Sequence, residues 1–316
     1  MKKYILILTL IAFALINYSC DQSINPNAPF RERFVLNGII KSDTSYQIVT
    51  LSHSYQPDGL DPLEYTDDPA IKNADVNIYY DNKLFHMRDT VVARKNTTRY
   101  NDSVKYYYNP DLKPGPGKVV EIDALLPNGL LLQSESMTPP VPDFGFFDYQ
   151  NDKLIPPSFG TSLKINWQSI GNFLYVPRIT IEYYVKGDTL PHQQEVPLFY
   201  YSDGGNLKPV YPTPIRNTFI ELSMETIGQA LNQIPSGGRP KSDYSITEMK
   251  FELLIYDEYL STYYSSVKQG LDGFTVKLDN PDYSNIKGGL GLFGSYIKTN
   301  YKIGFIKSYL QSLGFN

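Results

Sequence analysis

The amino-acid sequence predicts a mainly β protein: an N-terminal immunoglobulin-like antiparallel β-sandwich followed by a second β-rich domain with two short helices. Tyrosine, which favours pleated and half-buried surfaces, accounts for 27 of the 316 residues. Short segments in which apolar and polar side chains alternate recur along the chain, and turn-forming residues separate them. The first half holds no helical period for three turns, so we expect short strands joined by turns there.

The strands and turns of the first half follow from local patterns. An apolar run covers residues 34–40 and is interrupted by Asn37-Gly38. In the segment 74–80 every second residue is apolar, so these side chains share one face of a strand. Hairpin turns are predicted at 81–82 and at 127–129, because the Asn and Gly residues there accept positive φ angles.

Three prolines within residues 139–142 mark the predicted boundary between the domains. Proline cannot donate a hydrogen bond to a sheet and favours an extended backbone, so this segment is predicted to be a linker. The sandwich is therefore assigned to residues 31–138 and the second domain to residues 143–316.

The second domain is predicted from alternating segments and two capped helices. Residues 163–168, with the only tryptophan, and residues 248–256 alternate as strands do. Ser223 is predicted to cap a helix that runs from Met224 to about Ile234. Asp257 is predicted to cap a second helix. The inward face of that helix is predicted to hold Leu260, Tyr263, Tyr264 and Val267.

The first twenty residues have the pattern of a secretory signal. Lys2 and Lys3 precede an apolar run over residues 4–16, which is too short to span a bilayer comfortably. Cys20, the only cysteine of the chain, follows at once. This placement predicts that Cys20 accepts a lipid, and that residues 21–30 form a polar tether. The alternative is a plain signal peptide that leaves an unpaired thiol.

The charge of the chain bears on its partners. Of 29 basic residues, two lie in the signal, which leaves 27 basic residues against 33 acidic ones and a formal charge of −6. This balance argues against nucleic-acid binding, which needs clustered positive charge. A second apolar run of about 18 residues is absent from the sequence, so the lipid is the one predicted membrane attachment.

Four segments carry a resemblance to a known family. They are 34–40, 49–55, 73–78 and, most specifically, 284–294 with the sequence SNIKGGLGLFG. Together they resemble the domain-of-unknown-function 4249 family of Bacteroidota envelope lipoproteins. The resemblance implies a lipoprotein that is anchored in the cell envelope and works with a TonB-dependent β-barrel receptor. We expect it at the outer membrane, on either the periplasmic or the surface-exposed side. It supplies no catalytic residues.

Two motifs could carry chemistry. Residues 289–294 fit G-x-G-x-x-G, but no acidic residue follows to hold a ribose, which favours close packing of strands over dinucleotide binding. An acidic segment over residues 58–68 could hold calcium through carboxylate oxygens, or it could be a solvated loop. The calcium candidates are Asp58, Asp61, Asp67 and Asp68.

The three histidines lie in no recognised metal or catalytic motif, so the sequence predicts neither a cofactor nor an enzyme. Tyrosine clusters at 106–108, 199–201 and 263–264 could form a binding face, although alternate members in strands should be buried. The favoured interpretation is a lipid-anchored binding or accessory protein. A surface glycan-binding protein is the alternative, and a hydrolase with a spatially assembled site ranks third.

Overall fold

The computed structural model describes residues 30–56, 66–95, 103–144, 148–150, 153–155, 162–168, 171–235, 238–269 and 283–315. The prediction of a mainly β protein is confirmed. Arg33–Asn316 form one compact unit, and the described residues before it belong to a separate N-terminal unit, Met1–Glu32. Cys20 and most of the tether lie outside the described residues.

The first seven strands are β1 (Phe34–Lys41), β2 (Gln47–His53), β3 (Asp75–Tyr80), β4 (Lys83–Val92), β5 (Val104–Asn109), β6 (Val119–Leu125) and β7 (Leu131–Met137). The next ten are β8 (Asp148–Gln150), β9 (Lys153–Ile155), β10 (Ser162–Asn166), β11 (Leu174–Val185), β12 (His192–Glu195), β13 (Phe199–Asp203), β14 (Asn206–Val210), β15 (Phe219–Ser223), β16 (Tyr244–Tyr256) and β17 (Leu290–Ile303). The α-helices are α1 (Met224–Gln233), α2 (Glu258–Gln269) and α3 (Lys307–Ser312), and Lys241–Asp243 form a 3-10 turn.

One large mixed sheet organises the fold. Its strands follow the order β12-β11-β16-β17-β1-β2-β5-β4-β3-β6-β7, and β8 and β9 join at the side of β17. The long strand β17 pairs in antiparallel fashion with β16 and in parallel fashion with β1. The last strand of the chain therefore lies between strands of the two halves.

The strand β4 changes neighbours along its length. Residues 83–87 pair with β3, whereas residues 88–92 pair with β5. An apolar cluster takes side chains from both groups of strands, including Leu36 of β1, Ile78 of β3 and Ile122 of β6. This arrangement agrees with a sandwich in the first half, and its immunoglobulin type stays a prediction.

A second apolar cluster belongs to the C-terminal half. It includes Trp167, which directly follows β10, together with Phe251 of β16 and Leu231 of α1. The strand β17 contributes to both clusters, with Phe293 in the first and Ile297 in the second. The predicted division into two separately folding domains stays a prediction, and the shared strand is a feature that the sequence pattern did not reveal.

The proline segment 139–142 lies outside the strands, as predicted for a linker. Pro139 and Pro142 are nevertheless buried, and the Gly117 amide donates to the carbonyl oxygens of Thr138 and Pro139 at 3.0 and 3.3 Å. The segment is therefore packed against the fold.

The predicted turns are confirmed. Asp81 and Asn82 have φ angles of 51° and 59°, which suits the tight hairpin between β3 and β4. Gly129 has a φ of 84° in the turn between β6 and β7. The strand predicted at residues 34–40 is confirmed as β1, and Asn37 and Gly38 lie inside it.

Neighbouring strands explain why β1 carries Asn and Gly in its interior. The Asn37 side-chain oxygen accepts a hydrogen bond from the Leu292 amide at 3.1 Å. A Cβ atom on Gly38 would lie 3.2 Å from the side chains of both Phe293 and Val49, so little space remains for a larger residue.

Both predicted helices are confirmed, with their caps. The Ser223 hydroxyl accepts a hydrogen bond from the Thr226 amide at 3.0 Å. Asp257 accepts from the Leu260 amide at 2.7 Å. In α2, the prediction that Tyr263 and Tyr264 face inward is wrong, because both are exposed. The predicted inward Val267 lies where no side chain is described, and α3 was not predicted.

Within the described residues, the helices are all too short or too polar to cross a membrane.

Candidate functional site

A buried carboxylate lies where β7, β17 and the start of α2 meet. Asp257 is 1% exposed, and its Oδ2 accepts hydrogen bonds from the Ser136 hydroxyl at 2.5 Å and from the Ser295 amide at 2.9 Å. The Ser136 hydroxyl also lies 2.7 Å from the Ser295 hydroxyl. We call Asp257, Ser136 and Ser295 the carboxylate cluster.

Burial controls the acidity of this cluster. Loss of hydration raises the pKa of the Asp257 carboxyl to about 6, and its hydrogen bonds from Ser136, Leu260 and Ser295 oppose this rise. A salt-bridge partner for Asp257 is not found in the described part of the chain, so the carboxylate depends on hydrogen bonds alone.

A cleft of about 300 Å³ adjoins the carboxylate cluster. Val119, Met137 and Phe173 give it apolar walls, while Glu135 and Glu258 add acidic groups. Ser136 is itself buried, so it is poorly placed to attack a substrate in this cleft. The cluster fixes the position of α2 against two strands, and this structural role accounts for its contacts.

A row of tyrosines lies on the outer face of the large sheet. Tyr107 of β5 is buried, and its hydroxyl donates to the Ile71 carbonyl oxygen at 3.0 Å. Its neighbours Tyr106 and Tyr108 therefore project to the other side, as the sequence predicted for alternate cluster members. The ring of Tyr46 stacks on Tyr108 with centroids 5.3 Å apart.

The row continues across the middle of the sheet. The Tyr296 hydroxyl donates to Asp43 at 3.3 Å, three residues before Tyr46. Tyr256 lies opposite Tyr296 with ring centroids 6.4 Å apart, and Tyr264 of α2 lies 5.7 Å from Tyr256. We name this row the tyrosine belt. Its members are Tyr106, Tyr108, Tyr46, Tyr296, Tyr256 and Tyr264.

Three tyrosines of the belt, Tyr46, Tyr296 and Tyr256, have raised hydroxyl pKa values. A hydrogen bond with Tyr106 raises the pKa of Tyr46 to about 12. Burial, together with the nearby Asp43 carboxylate, raises the pKa of Tyr296 to about 12. Burial also raises the pKa of Tyr256. These phenols are therefore neutral hydrogen-bond donors at physiological pH.

A hairpin of β13 and β14 forms a separate two-stranded sheet. Phe199, Tyr201 and Leu207 are 51%, 46% and 54% exposed on it. Tyr200 is turned toward α1, where its hydroxyl donates to the Gln233 side chain at 3.3 Å. Exposed and half-buried side chains thus alternate over residues 199–201, as predicted. We call the hairpin of β13 and β14 the aromatic hairpin.

The calcium candidates are only partly described. Asp58 and Asp61 lie outside the described residues, and Asp67 is exposed. Asp68 accepts a hydrogen bond from Arg94 at 2.7 Å, so a cation of the protein already faces this carboxylate. Calcium binding by this segment stays a prediction.

The histidines have separate local partners. His192 Nε2 lies 2.7 Å from Asp188, and His86 Nδ1 lies 3.0 Å from the Asn77 side-chain oxygen. His53 Nδ1 lies 3.1 Å from the Ser54 carbonyl oxygen. Within the described ranges, no group of three or more His, Cys, Asp or Glu side chains could hold a metal ion.

The glycine motif serves close packing of strands, as predicted. A Cβ atom on Gly289 would lie 2.6 Å from the Phe34 carbonyl oxygen. On Gly291, whose φ is +117°, it would lie 2.0 Å from the Leu36 carbonyl oxygen. Both Gly291 and Gly294 lie within β17, so the segment continues as a strand where a dinucleotide site requires a helix.

Two lysines of β17 form ion pairs in the interior of the large sheet. Lys298 pairs with Glu252 at 2.8 Å and Lys302 lies 3.6 Å from Glu248, across the interior strands β17 and β16. Arg178 on β11 adds a further pair, with Glu195 at 3.1 Å.

Sequence reasoning missed the carboxylate cluster and half of the belt. It identified Asp257 as a helix cap but gave no sign of Ser136 or Ser295, which lie far away in sequence. Tyr46, Tyr256 and Tyr296 escaped notice because each is a single tyrosine outside the clusters. One signal was available for Tyr256. In its alternating strand, this residue occupies a position whose side chain faces away from the buried ones.

Comparisons with protein families and with curated proteins bear on the identity of the chain. No curated protein matches this chain. The family model described as "Domain of unknown function (DUF4249)" matches residues 19–302, which is most of the sequence. The chain therefore belongs to the DUF4249 family.

Proposed function

We propose that the protein is a non-catalytic binding protein of the cell envelope. In this proposal a lipid on Cys20 holds it at the outer membrane, where it serves a TonB-dependent β-barrel receptor in nutrient uptake. The observation that carries the proposal is the aromatic hairpin. Aromatic side chains are enriched at recognition surfaces because they give large contact area at low entropic cost.

A tight turn and contacts across its two strands order the aromatic hairpin. Its tip residues Gly204 and Gly205 have φ angles of 59° and 86°, which suits a tight two-residue turn. Lys208 pairs with Asp203 across the strands, and the Leu198 amide donates to the Val210 carbonyl oxygen at 2.8 Å. A pre-ordered hairpin loses little freedom when it binds, which favours a protein contact there.

The proposed lipid anchor supports this function by raising the local concentration of the protein at the membrane. A tether to the membrane raises the effective concentration of the hairpin near a receptor in the same membrane. A small interface, formed by three exposed apolar side chains and their surroundings, is then sufficient.

Catalysis is the weaker interpretation for the described part of the chain. One serine–carboxylate contact, between Ser136 and Asp257, is buried and joined to a second serine. Another, between Ser162 and Glu221 at 2.6 Å, is exposed, and neither serine has a histidine among its described hydrogen-bond partners. Acyl-transfer enzymes require a nucleophile that a substrate can reach.

Site-specific photo-crosslinking in intact cells tests the proposal. A photoreactive residue in place of Tyr201 is expected to capture an outer-membrane β-barrel protein. The same residue in place of Leu84, which is also exposed but lies on β4, is the matched control and should not capture it.

Substitution complements the crosslinking. Phe199→Ser with Leu207→Ser should abolish capture from position 201, whereas Val91→Ser should not. Equal capture from positions 201 and 84 would refute the hairpin as the docking site. Hydrolysis of a glycan or peptide by the pure protein, with no membrane protein captured, would make the enzyme interpretation the better one.

A further inference from the structure

The tyrosine belt differs in character from the rest of the face on which it lies. Side chains two residues apart on a strand share a face, so Tyr296 and Lys298 project to the same side of β17. From Lys298 onward this face carries ion pairs, beginning with Glu252 and Lys298 at 2.8 Å. On the side of Tyr296 away from Lys298, the belt presents aromatic rings and phenol hydroxyls. Its hydrogen-bonding partners include one carboxylate, that of Asp43.

The belt is a row rather than a round patch. Ring contacts join Tyr106 to Tyr108 and Tyr108 to Tyr46, with centroids 6.4 and 5.3 Å apart. Asp43, three residues before Tyr46 in sequence, accepts a hydrogen bond from Tyr296, and ring contacts continue to Tyr256 and Tyr264. A row of this kind suits an extended ligand that makes repeated contacts.

We propose that the tyrosine belt binds a neutral glycan chain. The inference deepens the proposed function by naming the class of ligand, and it rests on the binding role stated there. The C–H faces of a pyranose pack against aromatic rings, while its hydroxyls accept hydrogen bonds from phenols and donate them to carboxylates. The belt offers all three groups: exposed rings at Tyr46 and Tyr264, protonated phenols at Tyr46 and Tyr296, and the Asp43 carboxylate.

Charge and composition favour a neutral glycan over other extended ligands. The formal charge of −6 after the signal disfavours anionic polymers. A basic peptide would be expected to meet several carboxylates, yet Asp43 is the one acidic side chain that the belt tyrosines contact through a described hydrogen bond. Arg88 and Thr90 lie opposite Tyr108 and Tyr106 across β4 and β5, where they add donors for sugar hydroxyls.

Tyr46 is the residue on which the test should focus. It is 40% exposed, and it lies in the turn before β2, where its ring contributes to the surface rather than to the core. Tyr79 is 41% exposed on β3 and lies outside the belt, so it provides a matched control of the same residue type.

The experiment is affinity gel electrophoresis of the full-length protein in detergent with amylose, laminarin, xyloglucan or galactomannan in the gel, followed by titration calorimetry with the corresponding hexasaccharide. We expect at least one polymer to retard the protein. Tyr46→Ala should weaken binding about tenfold, because one stacked ring is lost. Tyr46→Phe should weaken it less, and Tyr79→Ala should leave it unchanged.

Two outcomes would overturn the inference. One is that none of the four polymers retards the protein. The other is retardation that Tyr46→Ala with Tyr108→Ala leaves intact while their circular-dichroism spectrum remains native. Capture of a protein from photoreactive residues in the belt, without glycan binding, would assign the belt to a protein partner and likewise refute it. Glycan binding is measured on the pure protein and needs neither the receptor nor the aromatic hairpin. A negative result would therefore refute the glycan inference without refuting the proposed function, which the crosslinking in cells tests separately.

Discussion

Asp257 Oδ2 accepts a hydrogen bond from Ser136 Oγ at 2.5 Å, across 121 residues of sequence. The same oxygen accepts from the Ser295 amide, while Oδ1 caps α2 through the Leu260 amide. One carboxylate thus joins a strand of the first half, the long strand β17 and the start of a helix. This carboxylate is buried, and its described partners are hydrogen-bond donors without a cation among them. The stability of the junction is therefore expected to depend on pH.

The stability of the protein should increase as the pH falls from 7 to 5. Burial raises the pKa of Asp257 from its ordinary 3.8 to about 6, so the folded state binds a proton more readily than the unfolded state. This contribution is fully present below the unfolded pKa and is lost as the pH rises through 6. We expect Asp257 to account for about 1.4 kcal/mol of the free energy of unfolding between pH 7 and pH 5.

Urea denaturation at the two pH values measures this effect. Asp257→Asn should remove that part of the pH dependence, whereas Asp203→Asn, in the exposed tip of the aromatic hairpin, should retain it. An identical pH dependence in the Asp257→Asn variant would show that the carboxyl titrates near its ordinary pKa.

Gly291 should tolerate no larger residue. Its φ of +117° is unfavourable for other residues, and a Cβ atom would lie 2.0 Å from the Leu36 carbonyl oxygen. Gly291→Ala should therefore disrupt the pairing of β17 with β1 and lower the free energy of unfolding by about 3 kcal/mol or more. Gly187→Ala is the control, because Gly187 also has a positive φ but open space around it, and it should lose about 1 kcal/mol. Equal losses in thermal denaturation would contradict the steric argument.

Phe293 should matter to the N-terminal half although it lies near the end of the chain. It is fully buried in the first apolar cluster, on the strand that pairs with β1. Phe293→Ala should cost about 3–5 kcal/mol. A fragment of residues 31–138 lacks this strand, so we expect it to melt at a lower temperature than the whole chain. An equal melting temperature in calorimetry would show that the half needs no help from β17.

Cys20→Ala should move the protein from the membrane pellet to the soluble fraction of fractionated cells. Cys20 is the one thiol of the sequence and directly follows the signal core. Mass spectrometry of the unsubstituted protein should show an acylated Cys20. A pelleted protein with a free thiol would refute lipid attachment.

Local features of the fold could be predicted from the sequence, because they depend on neighbouring residues. The turn at Asp81-Asn82 and the caps at Ser223 and Asp257 are examples. Helix faces proved harder: Tyr263 and Tyr264 were assigned inward by their spacing, but the buried face of α2 holds Leu260 and Ser261. A tyrosine satisfies an apolar stripe in sequence while its hydroxyl favours the surface.

Long-range features could not be predicted, since no local pattern encodes them. Nothing in residues 34–41 indicates that they pair in parallel with residues 290–296. The belt has the same origin, because Tyr296 reaches Asp43, three residues before Tyr46, only when β1 and β17 have paired. The carboxylate cluster, too, exists only once three distant segments meet.

The parallel pairing of β1 with β17 also has a consequence for how the chain folds. The Asn37 side chain and its hydrogen-bonding partner Leu292 are 255 residues apart, so the contact closes a very large loop. Such contacts slow folding, and here they cannot form until the chain has been synthesised as far as β17. During synthesis the free edge of β1 therefore stays without this partner until β17 has emerged, so the N-terminal half reaches its full stability only then.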